Sequence, residues 1–294
     1  MTQHTELDLT TRSPAETVEP IARQGRRVET PCGDGAMVWR IWGSGAPLIL
    51  LHGGHGSWTH WIRNVLPLSR AFTVLVPDMP GFGESASPPD PYTAETLSEI
   101  VANGLDQLLG HEATFSVAGF SFGGVIGGHV AKHRRGRVPR LVLVGAGGLG
   151  LTRPAMAELK NWRRIESPEA RLDAHRTNLG ILMLHDPANV DELAVHLQSQ
   201  NTSRCRINSR AISRTDTLRR ALADTDAALA GIWGVHDATS GAHLPERVEL
   251  LRSLDPDAEF VRIDAGHWVA YEAPDAFNAA LTELLRAPRK RAAA

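Results

Sequence analysis

Short apolar runs and longer stretches of helical spacing alternate along most of this chain. Val28 to Thr30 and Ala36 to Trp42 flank Gly33-Asp34-Gly35, which predicts two strands joined by a tight turn. Apolar runs follow at Pro47 to Leu51, Phe72 to Val76, Phe115 to Ala118 and Leu141 to Val144. Each has the length and character of a strand buried on both faces. Between them, Tyr92 to Leu109 and Val125 to Arg134 carry apolar residues at helical intervals. From Gly145 to about Ala228 the strand signal stops, and helices are predicted at Ala155 to Arg164, Ala170 to Leu182 and Val190 to Gln198. The alternation then resumes: a strand at Ala230 to Trp233, a helix at Pro245 to Leu254, a strand at Glu259 to Ile263 and a helix at Ala276 to Arg286.

Strands that alternate with helices predict an α/β fold, a mostly parallel central sheet with helices on both faces. The strand-free segment predicts an inserted helical cap. The expected division is a polar, flexible segment at 1–18, a core at 19–145 and 229–288, a cap at 146–228 and a tail at 289–294. No internal repeat is apparent.

Composition narrows the function. The chain has 294 residues, 42% of them hydrophobic, enough for a sizeable core. A net charge of -2 gives no reason to expect nucleic acid or an anionic membrane, and Arg289 to Arg291 reads as a solvated run. Cys32 and Cys205 make neither a disulfide framework nor a metal cluster, so no metal is expected. The N-terminus lacks the apolar core of a signal peptide, and no run reaches the roughly 18 apolar residues of a membrane span. The expectation is a cytoplasmic protein with a small-molecule substrate; a homo-oligomer is left open.

The candidate chemistry centres on Ser121, in Gly119-Phe120-Ser121-Phe122-Gly123, between an apolar strand and a helix. Small residues two positions either side of a serine are what a sharp strand-to-helix turn needs, and such a turn exposes the hydroxyl. A serine needs a base, and His267 follows the last predicted strand. Asp237, in Gly234-Val235-His236-Asp237, follows the strand before it and is the acid expected to orient His267. Asp264 and Glu272 rank below it because they lie too close to His267 in sequence to approach from the far side. The alternative acid position after Val144 reads Gly145-Ala146-Gly147-Gly148 and holds none. His52-Gly53-Gly54-His55-Gly56 follows the third strand and predicts an oxyanion hole built from the amides of Gly54 and Phe122. His52 is expected to brace that loop, and His133, His175, His185 and His196 to be solvated or part of the cap. Neither glycine-rich stretch carries a P-loop or dinucleotide pattern, so no cofactor is expected.

On these residues the chain resembles the α/β-hydrolase fold superfamily, over roughly 25–145 and 229–288. The resemblance includes Pro77 to Ser85, in which Asp78 belongs to a structural loop. It implies a Ser121-His267-Asp237 triad. Serine at the elbow disfavours the haloalkane dehalogenase and epoxide hydrolase branches, which use aspartate there. Within the superfamily the chain is similar to carboxylesterases and to hydrolases that cleave carbon–carbon bonds in ring-fission products. It departs from the second group at Phe120, where those enzymes carry asparagine, and near Leu197, where they carry a cap arginine. Arg204, Arg206 and Arg210 lie nearby as candidate acid-binding groups. His55, Trp58, Phe120 and Trp268, with Trp61 and Phe122, are expected around the substrate. The implied function is a cofactor-independent serine hydrolase of a small carboxylic ester or lactone. The alternative is a carbon–carbon bond hydrolase of a vinylogous diketo acid. More distant alternatives are a lyase or perhydrolase on the same triad, or a ligand receptor without turnover.

Overall fold

Ser13 opens the computed structural model, which describes residues 13–287. The described part of the segment expected to be loose, 13–18, holds the start of helix α1 (Pro14–Gln24). Ser13 and Glu16 form a capping box around Pro14, and Ile21 is buried with its carbonyl accepting the Trp42 indole N–H at 3.0 Å. Residues 14–18 therefore belong to the folded body. The remainder of the expected N-terminal segment and the expected tail at 289–294 lie outside the described residues.

The chain then forms a hairpin, β1 (Arg26–Cys32) and β2 (Gly35–Trp42), followed by β3 (Ala46–Leu51), the short α2 (Val65–Ser69) and β4 (Phe72–Pro77). Next come α3 (Ala94–Leu109), β5 (Ser116–Phe120), α4 (Phe122–His133) and β6 (Arg140–Val144). The inserted segment contributes α5 (Pro168–Leu182), α6 (Glu192–Ser203), α7 (Ser209–Ser213) and α8 (Thr217–Ala223). The chain closes with β7 (Ala228–Gly234), α9 (Leu244–Leu254), β8 (Glu259–Ile263), α10 (Val269–Glu272) and α11 (Pro274–Arg286).

One sheet runs β1-β2-β4-β3-β5-β6-β7-β8, antiparallel at β1-β2 and β2-β4 and parallel elsewhere. An apolar cluster lies on each face. One gathers Val101 and Leu105 of α3 with Val125 and Val130 of α4. The other gathers Ile21 of α1, Val65 of α2, and Phe277 and Leu281 of α11. Burial on both faces is why β3 and β6 are almost wholly apolar.

The inserted segment is not uniformly helical. Helices form over the predicted 170–182 and 190–198 stretches, but 151–161 is irregular, followed only by a short 3-10 turn at Trp162–Arg164. Most residues of the expected Ala155 to Arg164 helix face solvent, Met156 included. A helix this short gains its stability from packing, and here no face is buried. The last part of the segment packs with the core: Leu218 and Leu222 of α8 lie against α4, with Leu218 filling the space beside Gly128. The earlier helices pack with the core as well, with Leu179 of α5 and Leu193 and Leu197 of α6 in the cluster of Ile21 and Phe277. Among the described residues no helix is long and apolar enough to cross a membrane.

Candidate active site

Ser121 sits between β5 and α4 with φ 51° and ψ -108°, a left-handed conformation that is strained for a side-chain-bearing residue. Its N–H donates to the Val144 carbonyl at 2.8 Å. The flanking glycines are steric requirements. A Cβ on Gly119 would lie 2.6 Å from the Gly124 nitrogen, and one on Gly123 would lie 2.6 Å from the His52 carbonyl oxygen. Ser121 does not cap α4 through its side chain, and its hydroxyl has no hydrogen-bond partner among the described residues. Its strained geometry is therefore not explained by helix capping.

The structure brings His267 and Asp237 together at 2.8 Å, Nδ1 to Oδ2, with exposures of 4% and 1%. Thr239 donates its N–H and its hydroxyl to the other carboxylate oxygen, both at 2.7 Å. Burial pushes the Asp237 carboxyl up, but His267 and the Thr239 donors outweigh it, and the group lies below its ordinary range. A carboxylate at Nδ1 makes that nitrogen the protonated one and leaves Nε2 able to accept a proton. The pair lies over Gly145, where a Cβ would stand 3.1 Å from both Asp237 Oδ2 and His267 Nδ1. Gly145 directly follows the Val144 that holds Ser121, and the Phe120 ring lies 4.9 Å from the His267 ring. The three residues therefore share the carboxyl end of the sheet, where α/β folds place their sites. The rival acids are engaged elsewhere. Asp264 bonds His236 Nε2 at 2.9 Å, and Glu272 accepts the Gly266 N–H at 2.6 Å and the N–H groups of His185 and Asp186 at 2.9 and 2.6 Å.

The loop after β3 is held from several sides. His52 accepts the Met79 N–H on Nε2 at 2.9 Å, so Nδ1 carries the proton and donates to the Gly53 carbonyl at 2.8 Å. Burial lowers His52 to about 4, consistent with the bracing role. The Gly53 N–H donates to His60 Nδ1 at 3.1 Å. Gly54 has Ser209 beside it, whose Oγ would lie 2.6 Å from an added Cβ. Phe122 is the first residue of α4, so its N–H has no acceptor within the helix. Asp78 accepts the N–H groups of Trp58 and Glu84 at 2.8 and 2.9 Å, a structural task.

Trp61, expected at the pocket, is fully buried with its ring 5.7 Å from that of Phe277, and two further expected pocket residues belong to the interior. Trp58 is 4% exposed, packed on Trp42 at 5.4 Å and under Arg40. Trp268 is fully buried, its indole N–H on the His60 carbonyl at 2.8 Å and its ring on Tyr271 at 4.3 Å. Both rings have their apolar faces taken by core partners. Phe120 is also buried but contacts His267, and half-buried His55, with φ 55°, stands next to Gly54.

The arginine cluster divides. Arg206 holds the loop after β4, its N–H on Gly81 O at 2.9 Å and its guanidinium on the carbonyls of Phe82, Gly83 and Ser85. Arg204 ends α6 and is exposed. Burial first, then the charges of Arg163 and Arg210, hold His55 below its ordinary range. Arg163, Thr239 and Asn201 had no signal in the sequence, because each acts through tertiary contacts.

The α/β hydrolase fold family model matches residues 46–173. A pimeloyl-[acyl-carrier protein] methyl ester esterase from Vibrio atlanticus is 30% identical over 74% of this chain and 78% of its own. A 2-hydroxy-6-oxononadienedioate/2-hydroxy-6-oxononatrienedioate hydrolase from Comamonas testosteroni is 26% identical over 80% of this chain and 86% of its own. A soluble epoxide hydrolase from Corynebacterium sp. is 39% identical, but the match spans only 35% of either chain. A solved thermophilic esterase from Thermogutta terrifontis is 26% identical with a TM-score of 0.67, over 89% of this chain and 98% of that one. The sheet order, the strained serine turn and these similarities agree, and the chain belongs to the alpha/beta hydrolase fold family.

Proposed function

We propose that this protein is a cofactor-independent serine hydrolase of a small carboxylic ester or lactone. The observation that carries the reading is the buried 2.8 Å bond between His267 and Asp237, set over Gly145 beside the strained Ser121. Ser121 attacks the carbonyl carbon while His267 Nε2 takes its proton. Asp237 keeps the opposite nitrogen protonated and stabilises the imidazolium. The amides of Gly54 and Phe122 receive the developing oxyanion, and His267 returns the proton to the leaving group. Water, activated by the same histidine, then releases the acid from Ser121. The hydroxyl has no bond to His267 in the free protein, and such contacts commonly tighten only when substrate is bound.

A carbon–carbon bond hydrolase on the same residues is the second reading, favoured by similarity to the Comamonas testosteroni enzyme. It needs a cation for the substrate carboxylate. Arg206 is occupied with loop carbonyls, which leaves Arg163 and Arg210, the two whose charges reach His55. The epoxide hydrolase similarity carries less weight, because serine stands at the elbow.

A chain-length series of p-nitrophenyl esters, wild type beside Ser121→Ala, tests the proposal. Serine-dependent turnover that peaks at short acyl chains supports the esterase. No ester turnover by folded protein, with turnover of a dienol carboxylate, moves the assignment to carbon–carbon cleavage.

A further inference from the structure

Gly53, the residue before the proposed oxyanion donor Gly54, is held at both of its polar backbone groups by an imidazole. Its N–H donates to His60 Nδ1 at 3.1 Å, and its carbonyl accepts the His52 Nδ1–H at 2.8 Å. The Gly53 carbonyl and the Gly54 N–H belong to one planar peptide and point in opposite directions. Fixing the carbonyl toward His52 therefore turns the Gly54 N–H away from it. The bond to His60 fixes the preceding peptide, so neither side of the Gly53 Cα is free to rotate. Glycine needs such restraint more than other residues, because its backbone has the widest range of conformations.

His60 comes from the 3-10 turn at Trp58–Trp61. Its ring is buried, 5.5 Å from the Phe120 ring and 4.9 Å from the Trp268 ring, and its carbonyl accepts the Trp268 indole N–H. Phe120 precedes Ser121 and Trp268 follows His267. One side chain thus meets a neighbour of the proposed nucleophile, of the proposed base and of the proposed oxyanion donor. A Cβ on Gly56 would collide with Cε1 and Nδ1 of this ring, which gives the last glycine of His52-Gly53-Gly54-His55-Gly56 its reason. Because Nδ1 accepts, Nε2 carries the proton, and it has no hydrogen-bond partner among the described residues. Burial first, then the charges of His52, His267 and His55, hold the imidazole well below its ordinary range, so Nδ1 keeps its lone pair. A phenylalanine would fill the same space without burying a donor. What it would lack is the acceptor for Gly53.

We propose that His60 is a positioning residue of the reaction, whose Nδ1 holds the Gly53 N–H and so aims the Gly54 amide at the oxyanion. It touches no reacting atom. The inference rests on the serine hydrolase reading, because that reading gives the Gly54 amide its task.

The test compares His60→Phe, which keeps a ring and removes the acceptor, with His60→Asn, which keeps an acceptor at the same branch of the side chain and removes the ring. Each is measured for kcat and KM on the p-nitrophenyl ester that the wild type turns over best, and for Tm. In His60→Phe kcat should fall by roughly 10²-fold with KM unchanged, the mark of an interaction made in the transition state. His60→Asn should recover most of that loss, even as the missing ring lowers its Tm. A role in packing alone gives the reverse order, with activity following Tm. Wild-type kcat in His60→Phe, or a folded His60→Asn as impaired as His60→Phe, overturns the inference and leaves the serine hydrolase standing. If His60→Phe does not fold, His60→Asn decides alone: kcat near wild type supports the inference, and a loss of roughly 10²-fold overturns it. Wild type without Ser121-dependent turnover overturns the reading and the inference together.

Discussion

Asn201 of α6 and Ser57 of the loop after β3 share a hydrogen bond of 2.8 Å between buried side chains. Thr59 completes the set, receiving the Asn201 amide N–H at 3.0 Å and meeting the Ser57 hydroxyl at 2.8 Å. Ser57 is three residues from Gly54, so the inserted helix and the proposed oxyanion loop are fixed to one another. Asn201→Ala should cost about 1–3 kcal/mol, because it strands buried hydroxyls. It should also lower kcat on the best p-nitrophenyl ester by roughly tenfold, the scale of a donor misplaced by a fraction of an ångström. Urea midpoints and steady-state rates, measured side by side, check both.

Ser121→Ala should separate activity from stability. The hydroxyl has no partner among the described residues, so its loss should move the urea unfolding free energy by no more than about 0.5 kcal/mol. Turnover should fall by at least about 10³-fold, as when a nucleophile of this type is removed. A variant that retains near wild-type turnover would place the nucleophile elsewhere.

Asp237→Asn tests the histidine's orientation. An amide in place of the carboxylate presents a donor or a neutral acceptor to Nδ1 and no longer favours the proton there. The rate should fall by roughly 10³–10⁴-fold with the fold retained. Because the Asp237 carboxyl is held below its ordinary range, it stabilises the fold above the unfolded value of about 3.9, and that contribution is lost as pH falls through the lower folded value. The same substitution should therefore flatten the acid limb of the stability curve, as seen by denaturant melts below pH 4.

His52 gives a second pH effect at a different place. It is fully buried and lowered to about 4, against about 6.5 when unfolded. The folded state refuses a proton that the unfolded chain accepts, so stability is full above pH 6.5 and declines between 6.5 and 4. The decline from this group is about 3 kcal/mol. His52→Gln, which can still offer an acceptor to the Met79 N–H, should show a shallower decline over that window in urea melts.

The readable part of the sequence was the part governed by local rules. Gly119, Gly123 and the apolar strands marked the serine turn, because steric exclusion acts within a few residues of its cause. Asp237 and His267 were legible because strand ends place chemistry in a fixed order. Helix α1 was also written locally, in Ser13-Pro14-Ala15-Glu16, and a polar composition hid it. The 155–164 stretch misled in the opposite sense: its helical spacing is real, but no surface receives it. Trp58 and Trp268 could not be assigned to pocket or core from identity alone, since an indole serves either, and only their neighbours decide.

Glu272 holds the His185 and Asp186 amides of the inserted segment together with the Gly266 amide beside His267. All three donors are main-chain groups, which every residue but proline supplies. The side chains at 185 and 186 can therefore change while this attachment to the histidine loop persists. A graft at these two positions keeps this one attachment as long as it supplies a turn of matching backbone shape at 185–186 and Glu272 is intact.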